Sequence, residues 1–295
     1  MNYKKIYIVG SIALDDIETP HVSGSRLLGG SATYGSLFSS LFAPTSIIGV
    51  VGSDFPEDGH NLFKHYKINT ENLTISSGKT FSWGGKYHND FNYRDTLFTD
   101  LGVFESYSPN ISISDQDSSI LFLANIHPSL QQHIIKQAPE NCFIAADTMN
   151  LWIDNNKKEL LKVLSHVNLL FINEEEALSL TRTKTIKDAA IKLFSLGPDK
   201  LVIKKGSFGS IYISKNSFTS IGVCNDVSVI DPTGAGDAFA GGFLGSIVKN
   251  GWNIMTALEH GTASAGLAIS CLGAQELNNI SYKDIARLKK TIIKT

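Results

Sequence analysis

The chain has 295 residues, and 26 Lys and Arg against 28 Asp and Glu give it a formal net charge of −2. Its 42% hydrophobic residues exclude intrinsic disorder, and its 18% charged residues, fewer than in an average domain, indicate a large interior. No block of like charges favours a nucleic-acid or anionic membrane surface. We therefore expect one compact domain over residues 1–295, with neither nucleic acid nor a membrane as a partner.

The cysteines and the apolar segments indicate the compartment. Cys142, Cys224 and Cys271 are widely spaced and odd in number, which suits a reducing environment better than a disulfide framework. The first apolar run, at 6–10, is too short for a secretion signal, and the mildly apolar segment 256–274 carries charge and many small residues. These features predict a cytoplasmic protein.

Short apolar segments alternate with amphipathic ones up to about residue 204. The predicted strands are 6–10, 47–51, 120–125, 143–147, 169–173 and 201–204. The predicted helices are 58–66, 129–138, 157–166, 174–181 and 187–196. This alternation predicts an α/β fold, a doubly wound and mostly parallel sheet flanked by helices. Ligands of such sheets bind beyond the carboxyl ends of the strands.

Two segments interrupt this alternation, near 12–28 and 79–103. The second is rich in Phe, Trp, Tyr, Asn and Asp without a helical period, which predicts two or three strands joined by turns. We expect the two segments to pair into a small projecting sheet that serves as a lid. Its exposed edge strand leaves open a homodimer formed through the lid.

The pattern changes again after residue 204. Residues 209–214 and 219–224 resemble a hairpin, and helices are predicted at 235–249, 254–272 and 282–293. Ser281, followed three residues later by Asp284, predicts the N-cap of the last helix.

The strongest chemical signal is the glycine-rich turn that leads into the helix at 235. It reads Asp-Pro-Thr-Gly-Ala-Gly-Asp-Ala-Phe over 231–239. Unpaired amides at a helix N-terminus bind anions, and Gly234 and Gly236 permit close backbone approach. A carboxylate beside such a site repels a bound phosphate, but Asp237 is well suited to accept the proton of an attacking hydroxyl. The alternative is that Asp237 serves only as a helix cap.

This turn resembles the C-terminal signature of the ribokinase-like (PfkB) carbohydrate kinases. Further motifs follow the order of that family: Gly10-Ser11-Ile12 with Asp15, Gly29-Gly30-Ser31-Ala32, Asn173-Glu174-Glu175-Glu176 and Lys204-Lys205-Gly206. The resemblance spans roughly residues 8–275. It implies a ribokinase-like fold and an ATP-dependent transfer of the γ-phosphoryl group to a hydroxyl of a small molecule.

The resemblance also implies roles for individual residues. Asp237 is the implied base, and Gly234, Ala235 and Gly236 form the anion hole. The implied ATP-binding residues are Asn173, Lys204, Gly206, Gly209 and Thr262. Mg2+ is held through its waters by Glu176, whose alternative role is that of a glutamate at a helix N-terminus. Asp231 and Thr233 match part of a K+ site found in some members of the family, so K+ stays open as a further cofactor.

The expected acceptor is a sugar or sugar-like alcohol phosphorylated on a primary hydroxyl, and a nucleoside is the alternative. The implied substrate-binding residues are Asp15, Gly29, Gly30 and Tyr34, to which their positions at strand ends add Asn125 and Asp147. Tyr34 stands where sugar kinases of the family often carry Asn, which makes ribose itself doubtful. Asp16 is an alternative to Asp15.

Two other classes of protein fit these residues less well than a kinase. A ligand sensor that keeps the fold without catalysis has no need of a carboxylate beside the anion hole. A nucleotide-binding dehydrogenase requires glycine where Phe239 stands. The sequence therefore favours the kinase.

Overall fold

The computed structural model describes residues 3–89, 91, 93–113 and 118–293, which form a nine-stranded and a four-stranded sheet. The strands of the large sheet are β1 (Lys5–Val9), β4 (Thr45–Gly52), β5 (Asn69–Ser76), β8 (Ser119–Leu123), β9 (Phe143–Ala146), β10 (Leu169–Asn173), β11 (Lys200–Lys204), β12 (Ser210–Ser214) and β13 (Ser217–Ile221). Their order is β13-β12-β11-β10-β9-β8-β1-β4-β5, and all neighbours are parallel from β11 to β5. The hairpin β12–β13 completes the sheet in antiparallel fashion.

Helices cover the large sheet and connect its strands. They are α1 (Ser31–Ser40), α2 (Glu57–His65), α3 (Pro128–Ile135), α4 (Asn150–Asn155), α5 (Lys157–Leu164), α6 (Glu174–Thr181), α7 (Ile186–Ser195), α8 (Ala235–Asn250), α9 (Ile254–Ala268) and α10 (Tyr282–Leu288). Short 3-10 helices span Gly102–Phe104, Gly206–Phe208, Ala274–Leu277 and Lys289–Thr291. Within the described part of the chain, no helix has the length and apolar character that a membrane crossing requires.

The large sheet is buried on both faces. Consecutive side chains of β1 alternate between two apolar clusters, with Ile6 and Ile8 in one and Tyr7 and Val9 in the other. A strand that packs on both sides needs apolar residues at every position, which explains the continuous apolar runs of the sequence.

The small sheet is the predicted lid. It contains β2 (Ala13–Glu18), β3 (Ser23–Gly29), β6 (Ser82–Tyr87) and β7 (Arg94–Asp100) in the order β3-β2-β6-β7. The two irregular segments therefore pair with each other, as the sequence predicts, through the parallel contact of β2 with β6. The second segment contributes two strands.

Most predicted elements are confirmed within a few residues of their bounds, and the capping box of Ser281 and Asp284 at α10 is present. Two predicted ends were wrong. The helix that begins at Ile254 ends at Ala268, and the last helix ends at Leu288, where a 3-10 turn follows. The elements that sequence patterns missed are α1, α4 and β5.

Candidate active site

The glycine-rich turn is held in shape by Asp231. One carboxylate oxygen of Asp231 accepts the amide of Thr233 at 2.9 Å, and the other accepts the amide of Gly273 at 3.4 Å. Gly234 is the N-cap of α8 and has a φ of 76°, in the left-handed region that favours glycine. The first amides of α8 have no partners within the helix, as the predicted anion hole requires, and the Ala235 amide donates to the carbonyl of Pro232 at 3.3 Å.

Asp237 lies in this first turn of α8, beside the anion-binding amides. The N-cap of the helix is a glycine without a side chain, so α8 is not closed by a side-chain cap. Burial raises the pKa of Asp237 to about 7, the charge of Asp147 adds to the rise, and the charge of Lys204 opposes it. A carboxylate with this pKa exchanges protons near neutral pH, as a general base must.

The ammonium group of Lys204 pairs with Asp147 and is influenced by the charges of Glu176 and Asp237. Lys204 ends β11, and its Nζ lies 2.5 Å from a carboxylate oxygen of Asp147, the residue after β9. Burial lowers the pKa of Lys204, but the charges of Asp147 and Glu176, with a smaller effect of Asp237, raise it above its ordinary value. Since β9, β10 and β11 are parallel neighbours, their carboxyl ends bring these groups to one edge of the sheet.

Asn173 and Glu176 form a capping box where β10 passes into α6. The Glu176 amide donates to the side chain of Asn173 at 2.7 Å, and the Asn173 amide donates to the carboxylate of Glu176 at 3.0 Å. Burial raises the pKa of Glu176 to about 7, which Lys204 opposes and Asp147 reinforces. The sequence left open a structural role for Glu176 as a glutamate at the helix N-terminus, and the structure adds a capping bond that also fixes its carboxylate.

On the lid side, Asp15 is buried at the start of the small sheet. It is 4% exposed, and its carboxylate accepts the amide of Trp83 on β6 at 3.2 Å. Burial raises the pKa of Asp15 to about 8, the Trp83 amide opposes this, and the charge of Asp231 adds to it. The other carboxylate oxygen lies against Gly29, where a Cβ would collide with it. Asp16 instead accepts the amide of Arg26 on β3 at 2.8 Å, which is a role within the lid.

The hinge between lid and sheet is built from glycine and serine. Gly30 has a φ of 95°, and a Cβ there would collide with the carbonyl of Ser11. The Ser31 hydroxyl accepts the Ser11 amide at 3.1 Å and donates to the carbonyl of Asn125 at 3.2 Å. These contacts tie the chain after the lid to the carboxyl end of β8.

Tyr34 and Asn125 take positions that the sequence patterns did not specify. Tyr34 is 2% exposed, and its ring lies where a Cβ on Gly234 would collide with it. The side-chain Oδ1 of Asn125 accepts the indole N–H of Trp152 at 2.8 Å, and its Nδ2 donates to the sulfur of Met149 at 3.0 Å. The contact with Trp152 was missed, since 27 residues separate the partners.

The predicted nucleotide-binding residues lie on two parts of the fold. Gly206 begins a 3-10 turn after β11, and a Cβ there would meet no atom within 4 Å. Gly209 has a φ of 87° and packs on the carbonyl of Ile221. Thr262 is buried on α9, where its carbonyl accepts the thiol of Cys224 at 3.8 Å. The role of each of these residues stays a prediction, as do the roles of the other site residues.

Most of the chain matches a known family of proteins. The model of the family described as pfkB family carbohydrate kinase matches residues 28–280. The chain belongs to this family. It is therefore an ATP-dependent kinase of the PfkB family.

Proteins similar to this PfkB kinase match most of its length. A nucleoside kinase of Methanocaldococcus jannaschii is 26% identical over 302 residues, covering 97% of each chain. A cytidine kinase of Thermococcus kodakarensis is 26% identical over 247 residues, covering 81% of this chain and 87% of its own. A crystal structure of M. jannaschii nucleoside kinase superimposes with a TM-score of 0.80 at 24% identity, covering 98% of this chain and 99% of that one. This likeness confirms the predicted ribokinase-like fold.

Proposed function

We propose that this PfkB kinase transfers the γ-phosphoryl group of ATP to the primary hydroxyl of a nucleoside. The observation that carries the phosphoryl transfer is the position of Asp237, in the first turn of α8 beside the anion-binding amides and near Lys204. A base, an anion hole and a cation within one cleft meet the needs of this reaction, which depends on positioning and electrostatics.

The relatives favour a nucleoside over a free sugar as the acceptor. The nucleoside kinase and the cytidine kinase match this chain over 97% and 81% of its length. A ribokinase of Staphylococcus aureus, at 30% identity, matches only 39% of it. The second candidate remains a sugar or sugar-like alcohol, which the description of the family as carbohydrate kinases supports.

In the proposed reaction, Asp237 takes the proton of the acceptor hydroxyl as its oxygen bonds to the γ-phosphorus. The bond from the γ-phosphorus to the bridging oxygen of ATP breaks, and ADP leaves with the electron pair. The amides of Gly234, Ala235 and Gly236 stabilise the charge on the transferring group, with Lys204 close by. Asp15 accepts hydrogen bonds from acceptor hydroxyls, and the lid excludes water.

The divalent cation of this reaction fits the edge of the sheet at Glu176. No set of three or more His, Cys, Asp or Glu side chains forms a metal-binding group among residues 3–89, 91, 93–113 and 118–293. Mg2+ keeps several waters and needs few protein ligands, so the Glu176 carboxylate and the Asn173 amide oxygen suit it. When bound, Mg2+ would neutralise charge on the ATP phosphates.

A monovalent cation fits the other side of the glycine-rich turn. Asp231 is 1% exposed, and its carboxylate is bonded to the amides of Thr233 and Gly273. Burial raises the pKa of Asp231 above its ordinary value, and the charge of Glu276 also raises it. A cation such as K+ would offset this buried charge, and we propose it as an additional cofactor.

The lid also offers a surface for a second copy of the chain. Every residue of β7 is exposed, and this strand forms one edge of the small sheet. Leu97 and Phe98 are among its exposed side chains. A homodimer through this edge would cover them, and sedimentation of the full chain would show it.

The deciding experiment measures ADP release from Mg-ATP with nucleosides, pentoses, hexoses and sugar acids, with and without K+. Asp237→Asn should lower kcat at least ~10²-fold and leave ATP affinity nearly unchanged, because general-base catalysis contributes in this range. Asp58→Asn, which alters an exposed Asp in the first turn of α2, is the matched control. An unchanged kcat in Asp237→Asn would contradict the assignment of the base, and turnover of sugars alone would favour the second candidate.

A further inference from the structure

The lid touches the glycine-rich turn through a tyrosine. Tyr87 is the last residue of β6, and its hydroxyl oxygen lies 3.0 Å from the hydroxyl oxygen of Thr233. Thr233 directly precedes Gly234, the N-cap of the helix that carries the anion-binding amides. This hydrogen bond therefore connects the lid, which is expected to move, to the turn that is proposed to hold the phosphoryl group.

Tyr87 is rigidly placed for this contact. It is 6% exposed and packs with Ile17 and Leu27 of the lid, and Leu272 of the large domain packs against the same cluster. Burial raises the pKa of Tyr87 above its ordinary value, so the hydroxyl stays protonated and can donate. The aromatic ring therefore serves as a fixed arm from the lid to Thr233.

The other end of the contact is also fixed. The Thr233 amide donates to Asp231, and the Thr233 hydroxyl contacts both the Asp231 carboxylate and Tyr87 of the lid. Movement of the lid away from the large sheet must break the bond from Tyr87. Thr233 then keeps only its bond to Asp231, and the neighbouring Gly234 gains freedom.

Arg94 belongs to the same contact. It lies opposite Tyr87 in the β6–β7 pair, bonds to the Tyr87 hydroxyl, and holds its guanidinium 5.4 Å from the centre of the Trp83 ring. Its charge lowers the pKa of both Asp237 and Glu176, against the larger effect of burial. The bond between Tyr87 and Thr233 thus also holds Arg94 of the lid where its charge acts on Asp237 and Glu176.

We propose that Tyr87 is a positioning residue, whose bond to Thr233 sets the anion-binding turn in its working geometry only when the lid is closed. The inference rests on the proposed function, because it assigns the turn to the transferring phosphoryl group. It makes lid closure a condition for fast transfer, and thus couples binding of the acceptor under the lid to stabilisation of the charge on the phosphoryl group.

The test is a double-mutant cycle of Tyr87→Phe and Thr233→Val, measured as kcat and KM with the best acceptor. Each single variant should lower kcat by about tenfold, the effect of one hydrogen bond, with little change in KM for ATP. The double variant should lose less kcat than the product of the two single losses, since both variants remove the shared bond; Tyr87→Phe also removes a bond to Arg94, and Thr233→Val one to Asp231. Thr233→Ser, which keeps the hydroxyl, should lose less than Thr233→Val. If the loss of kcat in the double variant equals the product of the two single losses, the proposal is overturned.

The matched control is Tyr212→Phe. Tyr212 is 4% exposed and its hydroxyl bonds to Ser214, but it lies on β12 of the large sheet. This variant should keep the wild-type kcat. A loss equal to that of Tyr87→Phe would show that removal of any buried tyrosine hydroxyl slows the enzyme, and would contradict a specific role of the lid contact.

Hydrogen–deuterium exchange separates failure of this inference from failure of the proposed function. Tyr87→Phe should speed exchange of the amides at 231–237, and Tyr212→Phe should not. This measurement requires no acceptor, so it tests the contact even if the wild-type protein phosphorylates none of the compounds supplied. If the amides at 231–237 of Tyr87→Phe exchange at the wild-type rate, the inference is overturned whatever the substrate is.

Discussion

Replacing Gly234 by alanine tests why the anion-binding turn requires glycine. A side chain at a φ of 76° strains the backbone by about 1–2 kcal/mol. The added Cβ would also collide with the ring of Tyr34, which is 2% exposed and cannot move into solvent. Overpacking of this kind costs about 1–3 kcal/mol. We therefore expect Gly234→Ala to lower the free energy of unfolding by about 2–5 kcal/mol.

Two alanine variants separate these contributions. Gly236→Ala places its Cβ in a helix, 3.0 Å from the Nζ of Lys204, which can shift by a few tenths of an ångström within its pair with Asp147, and should change the free energy of unfolding by less than about 1 kcal/mol. Gly206→Ala has a φ of 55° with no atom within 4 Å of the added Cβ, so it should show the backbone strain alone. The difference between Gly234→Ala and Gly206→Ala then measures the collision with Tyr34.

Urea unfolding followed by circular dichroism gives the three free energies, and ADP release gives kcat for the same variants. Gly234→Ala should also lower kcat, because the amides of the turn must move when the Cβ meets the ring. Equal stability of Gly234→Ala and Gly206→Ala would refute the reasoning. It would mean that Tyr34 does not fill the space beside the turn.

Two further predictions concern pH. Because the pKa of Asp237 is about 7, kcat should rise between pH 6 and 8 as the base loses its proton; a pH–rate profile flat over this range would contradict the assignment. Asp15 has a folded pKa of about 8 against an ordinary 3.8, so the folded state binds the extra proton and loses stability as pH rises between these values. Asp15→Asn should therefore stabilise the protein at pH 7.5 more than at pH 5, by at most about 1.4 kcal/mol per pH unit. The same substitution should weaken binding of the acceptor. If urea unfolding shows equal changes in stability at both pH values, the pKa of Asp15 is not raised.

The sequence predicted those parts of the molecule whose cause is local. The cap at Ser281 and Asp284 was predicted as a residue pattern because its partners are three residues apart. The turn at 231–237 was recognised because glycine is needed where amides must be exposed and φ is positive. The lid could be predicted because its aromatic strands lack a helical period.

Helix α1 escaped prediction for the opposite reason. Residues 31–39 of α1 are all buried, so the helix has no polar face and its sequence shows no amphipathic period. Gly35 and Gly241 show what replaces the missing signal, since a Cβ on Gly241 would collide with the backbone of Gly35. Close helix packing of this kind depends on residues far apart in sequence, and a single-sequence pattern does not contain it.

The contacts that complete the site are equally distant. Lys204 and Asp147 are 57 residues apart, and Tyr87 and Thr233 are 146 apart. Motifs placed each of the first two residues at a strand end, but only the order of β9, β10 and β11 makes them an ion pair. The identities of the site residues could thus be found in the sequence, whereas their pairing required the fold.

The buried carboxylates of the site lower the stability of the folded protein. Asp15, Glu176 and Asp237 all have a pKa of about 7 or 8, and burial is the largest cause for each. A buried carboxylate with a raised pKa destabilises the folded state at neutral pH, because folding must then either desolvate its charge or bind a proton. A fold that only required stability would replace these groups by amides or apolar residues. The retention of three of them around the anion-binding turn and the lid is therefore what a site for proton and phosphoryl transfer requires.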